Sequence, residues 1–368
     1  MRKSLINATE GTEFLQREGL SVMPEPWEDG LRMDPESPGA FEWWYFDAHF
    51  DDSSTDLAAR GSTVVIDIHV RPMVKRVLPE KPSIALTITR PNGTKLMHEI
   101  YFPSSKFSAS KKACDVRVGP NWVRGDLHRY EIHAEAQGMA ADLVFTGIVP
   151  PWRPGAGKWF YGAPNHYFAW LVAIPYGRVD GTLTYDGQTY KVKGTGYHDH
   201  NWGNVDLGRV MDHWYWGRAR IGDYTLIFSE QTAAEEYGFA RMPVFMLAKG
   251  DRILTDDGRF LTMKVRDFAK YPGRHGYPRQ IDFDWISGSD EVHLFLRNLW
   301  LISDAKDYNL QSLPLWQRWL GRFLIGNIGY FRFYADLELA IEMGDIIANE
   351  RCKALYEIMI LQGKKYER

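Results

Sequence analysis

The segment Phe331–Leu339 alternates without a break: Phe331, Phe333, Ala335, Leu337 and Leu339 are apolar, and the residues between them are mostly polar. Side chains on a strand point to opposite faces in turn, so this period predicts a strand with one buried and one wet face, as in antiparallel sheets. Similar runs occur at Ile281–Trp285, Val292–Leu296 and Leu355–Leu361. Asn92-Gly93 separates Ile84–Thr89 from Leu96–Tyr101, and Asp186-Gly187 separates Thr182–Tyr185 from Thr189–Val192. Both dipeptides are two-residue hairpin signatures, because these residues tolerate the positive φ that a tight turn requires. The chain is therefore expected to be all-β, with a few short helices. The strongest helical pattern is Pro314–Leu324, with Leu315, Trp316, Trp319, Leu320, Phe323 and Leu324 on one face. Pro150–Gly157 and Tyr271–Pro278 read as loops.

At 368 residues the chain exceeds the roughly 250–300 at which a single core stops growing. Two β domains, residues 1–208 and 209–368, are expected. Lys and Arg number 44 against 47 Asp and Glu, a net charge of −3, which excludes a polybasic nucleic-acid binder and an acidic disordered chain. Aromatic residues make up 14% of the chain, a load suited to a β-rich fold or a large apolar pocket. Cys114 and Cys352 cannot build a disulfide framework. The N-terminal stretch lacks the apolar run of a secretory signal, and no uncharged run approaches the ~18 residues of a membrane span. A cytoplasmic protein is expected, with peripheral membrane contact through the Pro314–Leu324 stripe as the alternative.

Familiar cofactor motifs are missing: there is no phosphate-binding Gly-rich loop ending in Lys-Ser/Thr, no Gly-x-Ser-x-Gly and no His-Glu-x-x-His. No cofactor is expected. Two dense segments remain. In Phe41–Phe50, a strand would place Glu42, Trp44 and Phe46 on one face and Trp43, Tyr45 and Asp47 on the other, so either face sets a carboxylate beside large aromatics. A carboxylate held that way is raised in pKa by desolvation and can store a proton. In Gly194–Gly203, Tyr197, Asp199 and Asn201 alternate with His198, His200 and Trp202. Five consecutive polar groups bracketed by glycines suit a functional cluster better than core filling.

A metal is the rival reading, with His198 and His200 joined by Asp67 and His69 from the strand Val65–Val70. His-x-His alone is a weak signal for it, and no metal is assigned. Further aromatic clusters, Tyr167 to Trp170 and Trp214 to Trp216, could line a pocket for an apolar ligand, their ring faces stabilising developing positive charge.

Together the Glu42-Trp43-Trp44 segment, Tyr197-His198-Asp199-His200-Asn201-Trp202, Trp214-Tyr215-Trp216-Gly217 and Ala354–Met359 resemble the lipocalin-like carotenoid 1,2-hydratase (hydroxyneurosporene synthase) family, with lipocalin-like Diels–Alderases as more distant members. The likeness runs from about Phe41 to Glu357. It implies two lipocalin-like antiparallel β-barrel or sandwich domains with a ligand pocket at their junction, and cofactor-free chemistry on an apolar isoprenoid or polyene. In the hydratases an aspartate two residues after a tyrosine donates a proton to a terminal double bond, which corresponds here to Tyr197 and Asp199. Their histidine two residues before a tryptophan has no counterpart: Phe168 stands there, ahead of Trp170. His166, His198 or His200 would have to replace it in activating water, or the cation would close on an internal double bond. The Diels–Alderase likeness implies pocket roles for Glu42, Trp214 and Trp216.

The reading is an enzyme that protonates a C=C bond, with Asp199 as general acid, Tyr197, His198, His200 and Glu42 assisting, and Trp44, Asp67, His69, Tyr167, Trp170, Trp202, Trp214 and Trp216 shaping the substrate site. The alternatives are a pericyclase that folds a polyene for cycloaddition and a non-catalytic carrier of an apolar ligand.

Overall fold

A computed structural model describes residues 3–9, 13–51, 53, 54, 56–73, 80–271, 274–304 and 329–366. Pro314–Leu324 lies outside the described residues. The chain divides into two compact units. One comprises Gly11–Trp159 and Asn165–Val205; the other comprises Met1–Glu10, Phe160–Pro164 and Asp206–Arg368.

Two short strands, β1 (Leu5–Asn7) and β11 (Lys158–Tyr161), pair with each other. The sheet of the first unit is built from β2 (Phe41–Phe50), β3 (Thr63–Arg71), β4 (Ser83–Thr89), β5 (Lys95–Tyr101) and β6 (Phe107–Ala109). It continues with β7 (Cys114–Val118), β8 (Asn121–Gly125), β9 (Arg129–Ala136), β10 (Met139–Gly147), β12 (Tyr167–Tyr185) and β13 (Gln188–Gly203). These lie in the order β5-β4-β3-β2-β13-β12-β10-β9-β8-β7-β6. The pairing of β2 with β13 joins the two sequence segments that carry the candidate acids. One face of this sheet encloses the core, where Trp44, Phe46, Ile66, Ile68, Leu86, Ile132 and Phe145 meet.

The second unit holds β14 (Met211–Ile221), β15 (Tyr224–Ala233), β16 (Arg241–Lys249), β17 (Arg252–Thr255) and β18 (Leu261–Tyr271). It ends with β19 (Arg274–Ser287), β20 (Asp290–Asp304), β21 (Gly329–Met343) and β22 (Ile346–Ile360). Their order is β17-β16-β15-β14-β22-β21-β20-β19-β18, again antiparallel. Phe331, Phe333, Ala335, Leu337 and Leu339 are buried in its core, as the alternation of that segment requires. The protein is all-β, with short helices such as Glu13–Glu18 and Leu207–Val210.

Two turn and loop expectations need correction. Asp186 and Gly187 form the two-residue turn, both at positive φ (53° and 73°). Around Asn92-Gly93 only Gly93 is left-handed (φ 83°), and its N–H bonds the Arg90 carbonyl, so the connection from Thr89 to Lys95 is longer. Pro91 explains this: its ring fixes φ near −65° and places it early in an ordinary turn that Gly93 closes. Tyr271–Pro278 is not a loop, since Arg274–Pro278 belongs to β19 and pairs with β18. β19 pairs with β20 only from Ile281 onward, so Pro278 costs no ladder bond on that side. Among the described residues, no helix is long and apolar enough to cross a membrane.

Candidate active site

Antiparallel register sets two rows across the first unit's sheet. Asp67, Tyr45, Asp199 and Val172 stand side by side on β3, β2, β13 and β12; in the next row stand His69, Trp43, Asn201 and Trp170. Directly paired residues share a face. This face is therefore acidic and aromatic, while its reverse faces the core. Register shifts fall beside both rows, between Val172 and Ile174 on β12 and between His69 and Arg71 on β3, opposite Trp43 and Glu42. Such bulges bend a strand and re-aim its side chains. Gly196, just before the acidic run, is required by packing, since a Cβ there would sit 2.5 Å from the Phe145 ring.

Asp199 is 8% exposed. Its Oδ2 accepts hydrogen bonds from the Tyr197 hydroxyl at 2.8 Å and the Trp170 indole Nε1 at 2.9 Å, and its Oδ1 accepts from Asn201 Nδ2 at 2.9 Å. All three donors are neutral. Burial raises the carboxyl; the bonds from Tyr197 and Trp170, the charge of His198 and the bond from Asn201 oppose it, and the balance leaves the group at about 6. The surrounding rings pack in two groups: Trp152 packs edge-on to Trp170, while Trp43 stacks with Phe41 and Phe168, and Phe168 stacks with Trp159. The Tyr45 hydroxyl donates to Asp47 at 2.7 Å. His69 is lowered by burial, against a smaller opposing pull from Glu99, which favours a neutral imidazole on this face.

The reverse face holds a different set. His200 lies between two carboxylates, its Nε2 2.7 Å from Glu42 Oε1 and its Nδ1 3.2 Å from Asp29 Oδ1. Burial lowers it, but bonds to Asp29 and Glu42 and their charges outweigh this and hold it at about 9. Glu42 also accepts the backbone N–H groups of Arg32 (2.8 Å) and Met33 (2.7 Å). His198 meets the Tyr45 carbonyl through Nδ1 at 2.9 Å and Asp29 Oδ2 through Nε2 at 3.2 Å. Its ring stacks on Phe46, and that of His200 stacks on Trp44. Burial would raise Asp29, yet His198 and His200 hold its carboxyl well below the usual range.

Of the residues expected at a site, the sheet brings Asp199, Tyr197, Trp170, Asp67 and His69 to one face. Glu42, His198, His200, Trp44, Trp202 and Tyr167 lie on the core side, where Tyr167 packs against the core's margin. Trp214 and Trp216 stand on β14 of the other unit, opposite Gln231 and Ser229. His166 is exposed in the loop before β12. Sequence reasoning missed Asp29 and Tyr130, whose hydroxyl donates to Asp29 Oδ2. The alternation of Gly194–Gly203 did put Asn201 on the face of Asp199, where its Nδ2 donates to the acid.

Fold and site together define an all-β protein of two lipocalin-like units with a buried acid among aromatics. Residues 81–293, more than half of the chain, match the family described as a domain of unknown function (DUF7064), and the chain belongs to that family. Curated relatives include the quinolone epoxide rearrangement protein asqO of Emericella nidulans, 26% identical over 51% of this chain and 53% of that protein. Another is penF of Penicillium thymicola, of the same description, 30% identical over 30% of this chain and 33% of that one. The Diels-Alderase cheD of Chaetomium globosum is 23% identical, covering 52% and 48%. The chain spans about half, or less, of the length of these relatives. The carotenoid likeness is narrower than the motifs implied: a hydroxyneurosporene dehydrogenase of Chlorobaculum tepidum is 38% identical, but over only 18% of this chain and 20% of that one. Among solved structures, CghA with Sch210972 superposes with a TM-score of 0.59 at 12% identity, covering 98% of this chain and 99% of that one. Kievitone hydratase from Nectria haematococca gives 0.52 at 14%, covering 89% and 90%. These two likenesses concern the fold.

Proposed function

We propose that this protein is a cofactor-independent enzyme that transfers a proton from Asp199 to a C=C bond of an apolar isoprenoid or polyene. The observation that carries this reading is the Asp199 carboxyl itself, buried, bonded by three neutral donors and held at about 6. A carboxylic acid with a pKa near the working pH is suited to giving and retaking a proton. In the proposed step the Asp199 O–H bond breaks as a C–H bond forms, leaving a carbocation and a carboxylate. Trp43, Trp170 and Phe168 present ring faces to that cation. Water addition gives a hydrated product, and closure on a second double bond gives a ring. In both cases the proton released at the end returns to Asp199, so the reaction is redox-neutral. For the hydration branch, His69 is the imidazole on the Asp199 face, in place of the histidine that the hydratases carry where Phe168 stands here.

A second reading follows from the relatives' descriptions: a substrate whose reacting atom is an epoxide oxygen, or a polyene folded for cycloaddition. Turnover in deuterium oxide separates these. Alkene protonation places one deuterium on a product carbon, as read by mass spectrometry. Product formed without a C–D bond supports the second reading and contradicts the first.

A further inference from the structure

The core-side cluster has a geometry that bears on Asp199. Asp29 ends the Pro26–Asp29 turn and is 1% exposed. Its carboxylate receives the Tyr130 hydroxyl from β9 and faces His198 and His200 from β13, while its own carbonyl accepts from Trp44 Nε1 of β2 at 3.1 Å. Cys114 on β7 packs beside it, and Glu42 faces it across His200. The groups around Asp29 are thus Tyr130, Cys114, His198, His200 and, one residue further, Glu42. The turn is itself anchored: the Arg153 Nε lies 3.0 Å from the Glu28 carboxylate in a buried ion pair, and a Cβ on Gly30 would sit 2.7 Å from the Lys111 backbone. Asp29 is therefore a fixed negative charge pressed against the back of the strand that carries Asp199.

His198 connects the two sides. Its ring is on the core face, with both nitrogens facing oxygens, Asp29 Oδ2 and the Tyr45 carbonyl. Tyr45 is also the cross-strand partner of Asp199. His198 thus fixes β13 to β2 at the row where the acid stands, one residue before it in the chain. We propose that Asp29 is a positioning residue for Asp199: through His198 it holds the β2–β13 row in place, and with it the donors that bond the acid. Burial raises Asp199, and the His198 charge is among the influences that restrain it. Without Asp29 the His198 ring loses one of its two oxygen partners, the row loosens, and the bonds from Tyr197, Trp170 and Asn201 that favour the Asp199 carboxylate weaken, so the acid holds its proton more tightly.

This inference rests on Asp199 as the proton carrier, but its test needs no substrate. The Asp199 carboxyl is followed by ¹³C NMR across pH in the full chain, its resonance assigned by its disappearance in Asp199→Asn. In Asp29→Asn the titration midpoint is expected to move upward by about one pH unit, the scale of a weakened hydrogen bond to a carboxylate, whereas loss of the Asp29 negative charge alone would move it downward and so contradict the proposal. Asp29→Glu is expected to restore most of the shift. His198→Gln is expected to produce the same upward displacement, and the double variant no more than the larger single effect. If Asp29→Asn does not fold, His198→Gln decides alone. A midpoint unmoved in whichever of these variants folds overturns the proposal. Failure of the functional reading would look different: turnover retained in Asp199→Asn.

Discussion

The Trp170 indole on β12 donates to Asp199 Oδ2 from 2.9 Å, and the Tyr197 hydroxyl donates to the same oxygen from 2.8 Å. One carboxylate oxygen thus takes two neutral donors, leaving Oδ1 with Asn201 and a free lone-pair direction for the proton.

Tyr197→Phe removes one donor while keeping the ring. The charged form of Asp199 loses a hydrogen bond worth about 1.5–3 kcal/mol, equivalent to roughly one to two pH units. The ¹³C titration midpoint is expected to rise from about 6 towards 7 or above. A midpoint that stays in place would remove Tyr197 from the acid's environment.

Asp199 should also leave its mark on stability. Its folded-state pKa of about 6 stands above the ordinary 3.8, so its protonated form favours folding. That contribution is present below about pH 4 and is lost as pH rises through 6, a change of roughly 3 kcal/mol at 1.36 kcal/mol per unit. Urea denaturation of wild type and Asp199→Asn between pH 4 and 8 should show the variant gaining relative stability by that order as pH rises. Parallel curves would mean that the carboxyl titrates normally.

His200 acts in the same direction but in a higher window. It is raised to about 9, so its stabilisation is complete below the unfolded imidazole value near 6.5 and is lost as pH rises through 9. The wild type is expected to lose roughly 3 kcal/mol through this group between pH 6 and 10, and His200→Gln to lack that alkaline decline. Circular dichroism melts across this range report it, and an equal decline in the variant would contradict the bridging role between Asp29 and Glu42.

The sheet was readable where local chemistry decided the conformation. Alternation from Phe331 to Leu339 buries the expected side chains, and Asp186-Gly187 turns as its residues demand. It was misread where a neighbour intervened: Pro91 lengthens the turn at Gly93, and the missing β20 partner lets Pro278 stay in a strand. The site shows the same division. The run from Tyr197 to Trp202 announces itself by five polar groups between glycines, and period two assigns its faces correctly. Asp29 leaves no such trace, because it lies 169 residues from His198 on a short irregular turn and only the folded sheet brings them together.

The central claim is that Asp199 gives the proton. A panel of isoprenoid and polyene substrates, assayed by mass spectrometry with wild type and Asp199→Asn, tests it most directly once one member is turned over. The account predicts that the variant binds that substrate about as well but turns it over at least about 100-fold more slowly, the usual scale of a lost general acid. Turnover by Asp199→Asn at the wild-type rate would contradict it.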